Sequence, residues 1–101
     1  MKLITREEFF SQVQKAPQAV REVVQSSGMI EIIMNVGKKY GLHIDQMSVL
    51  ADLTSYMLVG LVNPNEFQSE LVAQGMSSEN TEKVIQEINQ QIFLPLRDKM
   101  M

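Results

Sequence analysis

The sequence predicts an all-α protein, a compact bundle of five to six short helices around a central helix at about 44–62. Three observations carry this. Apolar residues recur at three- and four-residue steps along most of the chain, the period of a helix with one buried face. Helix-start and helix-stop residues punctuate those stretches. The connections between them are only two to five residues long, as between neighbouring packed helices.

The first helix opens at Thr5, with Glu8 three positions on. That is the capping-box pattern, which satisfies backbone N–H groups left without partners at a helix start. Phe9, Phe10 and Val13 form its apolar side, and it stops near Ala16 because Pro17 disfavours helix in the residue before it. The second helix is expected to start with Pro17 in its first position and to carry Val20, Val23 and Val24. "SSG" at 26–28 ends it.

The third helix is expected at about 28–40. Met29, Ile30, Ile32, Ile33 and Val36 surround a narrow polar line of Glu31, Asn35 and Lys38, so most of this helix should be buried. Gly41 is placed to end it in a left-handed conformation. The fourth and longest helix, about 44–62, has its polar residues Asp45, Ser48, Asp52 and Ser55 on one line. Continued, that line reaches Val59 and Val62, so the solvent face turns apolar in the last two turns. Tyr56, Val59, Gly60 and Val62 are therefore the candidate interaction surface. Either helices five and six cover it, or a protein partner or a second copy does. Gly60, inside this run, either permits a close helix crossing or is simply tolerated.

"NPNE" at 63–66 is the strongest boundary in the chain: Asn63 as N-cap, Pro64 in the first position, Glu66 as the reciprocal capping residue. Phe67, Leu71 and Val72 are the apolar residues of the fifth helix, and Gly75 ends it. The sixth is capped by Ser77 or Ser78, carries Val84, Ile85, Ile88 and Ile92, and is broken or kinked by Pro95. Its last residues should form a frayed turn.

Composition narrows the function. The 101 residues are enough for one domain, 1–101, and can bury roughly 65% of the unfolded chain's surface. There is no cysteine, which removes disulfides and thiolate chemistry. His43 is the single histidine, so no two-histidine metal site forms within one chain; its place before the fourth helix suggests a cap. No nucleophile elbow, phosphate-cradling glycine loop or calcium loop occurs. No catalytic residue, cofactor, metal or small-molecule substrate is indicated. The acidic N-terminal stretch "MKLITREEFF" and the shortness of the uncharged run Leu53 to Val62 point to a cytoplasmic chain without a membrane partner.

"KYGLHIDQMSVLADLTSYMLVGLV", residues 39–62, also has the outline of a helix-turn-helix unit spanning about 29–62. A DNA reader, however, needs cations and a hydrogen-bonding face. The net charge is −3, no Arg or Lys lies between Lys39 and Lys83, and the polar line of the fourth helix holds two carboxylates. Nucleic acid is thus the second reading, resting on Lys38–Lys39 and Arg21. The first reading is a non-catalytic interaction module. Eight methionines suit an adaptable core, or a groove that accepts a partner helix.

"GKKYGLHIDQMSVLADLTSYMLVGLVNPNEF" and "VIQEINQQIFLPLR" together resemble a pattern in small, uncharacterised all-helical proteins predicted from candidate-phylum bacteria. The resemblance spans about 36–97 and includes Tyr40, Gly60, Pro64, Phe67, Asn89 and Arg97. It implies a helical fold unit and carries no activity across. "ELVAQGMSSENTEKVIQEIN" is faintly similar to part of a ubiquitin-associated domain, but the Met-Gly order and the aromatic of that domain are missing.

Overall fold

The computed structural model describes residues 4–100; residues 1–3 and 101, the ends of the expected domain and of the acidic N-terminal stretch, lie outside it. Six helical rods, and no strand among the described residues, make an all-α bundle. They are α1 (Arg6–Lys15), α2 (Gln18–Val24), α3 (Ser27–Lys39), α4 (Ile44–Leu58), α5 (Pro64–Ala73) and a composite sixth rod. That last rod runs from α6 (Ser78–Ile88) through a π-helical turn (Asn89–Phe93) into α7 (Leu94–Met100). Its Cα radius of gyration, 12.9 Å, matches a closely packed chain of this length.

The starts follow the sequence closely. Asn63 Oδ1 accepts from the Glu66 N–H at 2.8 Å, Glu66 Oε1 accepts from the Asn63 N–H at 3.3 Å, and Pro64 sits in the first turn. Ser77, and not Ser78, caps α6 by accepting from the Asn80 N–H at 3.1 Å. Thr5 makes half of its expected box: its hydroxyl accepts from the Glu8 N–H at 3.0 Å. The Glu8 carboxylate accepts a hydrogen bond from the Thr5 hydroxyl at 3.4 Å instead of from the backbone N–H. Pro17 stands one position earlier than expected, as the extended N-cap of α2 with ψ 154°. Ser26 stitches two helices, donating to Val23 O at 2.9 Å and accepting from the Met29 N–H at 3.3 Å.

The fourth helix is shorter than the sequence suggests. It ends at Leu58, and Gly60 is not inside it. Gly60 has φ +83°, the left-handed conformation that a residue with a Cβ adopts at a cost. The Gly60 N–H donates to Met57 O at 3.2 Å and the Leu61 N–H to Tyr56 O at 2.9 Å, the paired bonds of a Schellman cap. A Cβ on Gly60 would meet nothing within 4 Å, so no helix crosses there. The close crossing lies at Gly37, buried on α3, where a Cβ would overlap Met47 Sδ and Cγ of α4.

Pro95 does not break the last rod. A proline inside an α-helix clashes with the carbonyl four residues back and offers no N–H. Here the backbone widens just upstream, with the Leu94 N–H reaching Asn89 O, five residues back. The wider turn also serves packing. Val84, Ile88, Ile92 and Leu96, all buried, follow each other at steps of four. In a pure α-helix three such steps would rotate the stripe by ~120°. The π turn absorbs part of that drift, so Leu96 still faces inward and the C-terminal residues continue as helix.

The buried residues form two clusters. The larger holds Ile33, Leu50, Leu53, Phe67, Leu71, Val84 and Ile88, drawn from α3, α4, α5 and α6. The smaller holds Val13, Val20, Val59 and Leu96, where α1, α2, the end of α4 and α7 meet. α4 packs on α2, α3 and α5, while α6 packs on α3 and α5.

Candidate interaction surface

The four residues marked from the sequence do not form an open surface. Val59 and Val62 are 9% and 4% exposed. The turn at Gly60 sends them in different directions, Val62 into the larger cluster and Val59 into the smaller. The cover over Val59 comes from Val13, Val20 and Leu96, so α1, α2 and α7 supply it and not α5 and α6. Tyr56 is half-buried, with its ring against the edge of Phe9 (centroids 5.5 Å apart, planes at 70°). Burial, then the charge of Asp52, pushes the Tyr56 hydroxyl pKa up. Only Gly60 is exposed. A seam between copies at the end of α4 is thus filled from within the chain.

An apolar surface that does stay open lies at the other end of α4. Ile30 and Met34 of α3 are each 46% exposed, and Ile44, the first residue of α4, is 79% exposed. With Ile33, Met47 and Ala51 they line a groove of about 360 Å³ between the two helices. This overturns the expectation that α3 is mostly buried. Ile30 and Met34 are one helical turn apart on a face that no other helix covers.

Several contacts tie the helices that frame this groove to their neighbours. Met47 lies across Gly37, so α3 and α4 approach closely at its floor. His43 stands at the N-cap of α4, where Gln46 supplies the reciprocal half of a capping box, its Oε1 accepting from the His43 N–H at 2.9 Å. The other end of the same amide donates to Gln74 O at 3.0 Å, tying the start of α4 to the end of α5. At the end of α3, Glu87 of α6 pairs with Lys39 and accepts from the Tyr40 hydroxyl at 3.2 Å and from Gln91 Nε2 at 2.6 Å. The Lys39 bond, then the Gln91 bond, holds the Glu87 carboxyl below its ordinary pKa. The Glu87 cluster therefore fastens α3 to α6. The sequence gives no sign of it, because Lys39 and Glu87 are 48 residues apart.

A second apolar cleft, about 380 Å³, lies between Met57, Pro64, Phe67, Ile85 and Phe93 beside the π turn. Among the described residues no group of three or more His, Cys, Asp or Glu could hold a metal ion, and no helix is long and apolar enough to cross a membrane. No protein family, curated protein or solved structure matches this chain.

Proposed function

We propose that this chain is a non-catalytic interaction module whose contact surface is the α3–α4 groove, and that the occupant is an amphipathic helix of a protein partner. The observation that carries the reading is the adjacency of Ile30, Met34 and Ile44, three large apolar side chains left open on a two-helix frame. Single exposed apolar residues are ordinary, but a contiguous patch is where partners bind. The groove has the form that accepts one face of a helix through residues at i, i+3, i+4 and i+7. Met34 and Met47 add flexible thioether surface that adapts to a ligand.

The nucleic-acid reading gains less support. Lys39, half of the Lys38–Lys39 pair, is taken up by Glu87 and by the Tyr40 ring, 5.5 Å away. The outer face of α4 offers Asp45 and Asp52.

Methyl NMR of the methionines tests the proposal. A helical peptide with leucines at i, i+3, i+4 and i+7 is expected to shift the Met34 and Met47 methyl signals and to leave those of the buried Met29 and Met76 in place. Ile30→Glu should abolish the shifts. No movement at Met34 with amphipathic peptides of either charge would refute the groove as a contact surface.

A further inference from the structure

Resting on that reading, we infer that the partner helix is basic: the α3–α4 groove is built for an amphipathic helix whose leucine-like anchors are flanked by Lys or Arg, and not for a second copy of this chain. The argument is the distribution of charge around the apolar floor. Glu31 follows Ile30 directly and precedes Met34 by three residues, so it stands on the outer edge of the groove along α3. Asp45 and Asp52 occupy the outer edge along α4, on the same polar line as Ser48, which also lines the groove. The cation on these outer faces is Lys38, while Lys39 is drawn to Glu87 on α6. No ion pair joins Glu31, Asp45 or Asp52 to a cation among the described residues. Three carboxylates against one ammonium leave the rim negative, and the whole chain carries −3.

A rim of one sign selects partners of the other. A basic helix would place its cations over Glu31, Asp45 and Asp52 while its apolar face enters between Ile30, Met34 and Ile44. A second copy would set the same carboxylates against one another, because a two-fold interface pairs a patch with itself. Like charges brought together in this way oppose association.

The experiment uses the full chain and two helical peptides with identical leucine anchors, one flanked by lysines and one by glutamates. Methionine-methyl shifts report binding, and sedimentation of the chain alone reports its oligomeric state. The expected result is that the lysine peptide shifts Met34 and Met47 and binds at least ~10-fold more tightly than the glutamate peptide at low salt, with the difference shrinking as salt screens the rim. Glu31→Lys with Asp45→Lys changes two exposed positions, checked for folding by circular dichroism, and should reverse the preference. Equal binding of the two peptides, or a preference for glutamate, would overturn the basic-partner inference while leaving the groove reading intact. A dimer whose seam buries Met34 would overturn it in favour of a second copy. Failure of both peptides to move Met34 would remove the inference together with the groove reading.

Discussion

The two ends of α4 make opposite use of apolar residues. At and just beyond its C-terminal end, Tyr56 to Val62, the sequence is apolar all round, yet the structure leaves little of it open. At its N-terminal end, Ile44 to Asp52, the sequence shows a polar line, yet an open apolar groove lies alongside it. The difference is one of neighbours. The C-terminal end meets α1, α2, α5 and α7 near the Gly60 turn, which splits the apolar run between two clusters. The N-terminal end is held between α3 and the end of α5, and no helix covers its outer side, so Ile44 stays 79% exposed. How apolar a segment is sets how much it needs cover; chain topology decides where cover is available.

The sharpest way to break this contrast is to charge each end in turn. Val62→Asp places a carboxylate in the larger cluster without a partner and should destabilise the fold by at least about 3 kcal/mol. Ile44→Glu changes an exposed position and should shift stability by no more than about 0.5 kcal/mol. Urea unfolding monitored by circular dichroism measures both. Similar losses at the two sites would mean that the ends are not differently covered.

The two glycines sharpen the same contrast at smaller magnitude. Gly37→Ala drives a methyl into Met47 under the open end and should lose about 1–3 kcal/mol, because the Met47 side chain must leave its place between the two helices. Shortening Met47 to Ala should recover part of that loss. Gly60→Ala has open space around the new Cβ, but it holds an alanine at φ +83° and should lose about 1 kcal/mol. No substitution of a neighbour should recover it. Rescue of Gly60→Ala by a neighbouring truncation would show packing at that turn, where the structure has none.

Most of the fold was legible in the sequence, and the reason is local. Caps are decided by residues three positions apart, so "NPNE", Ser77 and Thr5 could be read directly. Helical spacing gave the all-α class in the same way. The end of α4 was missed because an unbroken apolar run outweighed one glycine. The signal was nevertheless present. Gly41–Leu42 and Gly75–Met76 close α3 and α5 with a left-handed glycine followed by an apolar residue, and Gly60–Leu61 repeats that pair. The π turn was also signalled, by four buried residues at steps of four beside a proline. The cover over the end of α4 could not be read for a non-local reason. Whether Val59 is covered depends on Val13, Val20 and Leu96, far away in sequence, and no periodicity within α4 can show that.

Asp52 offers the subtlest probe, because it stands between the open and covered ends. Partial burial pushes its carboxyl pKa above the ordinary value. A carboxyl whose pKa is higher in the folded than in the unfolded state binds its proton more readily when folded. Its contribution is therefore most favourable at low pH and is lost as pH rises from the unfolded value through the folded one. Asp52→Asn removes this dependence, so the variant should gain stability relative to the wild type as pH rises through the carboxylate range, about 3.5 to 5.5, and hold a constant advantage above it. Glu87 has the opposite sign. Lys39 and Gln91 lower its pKa, so its stabilisation is present above the ordinary carboxylate pKa and is lost as pH falls through the lower folded value. Glu87→Gln should therefore lose ground to the wild type as pH rises through the range below the ordinary Glu value of about 4.3. Urea midpoints of the three proteins at half-unit pH steps decide the matter. Parallel curves for wild type and Asp52→Asn would show Asp52 to be as fully hydrated as a carboxylate on the open end, and the boundary between covered and open would then lie further along α4.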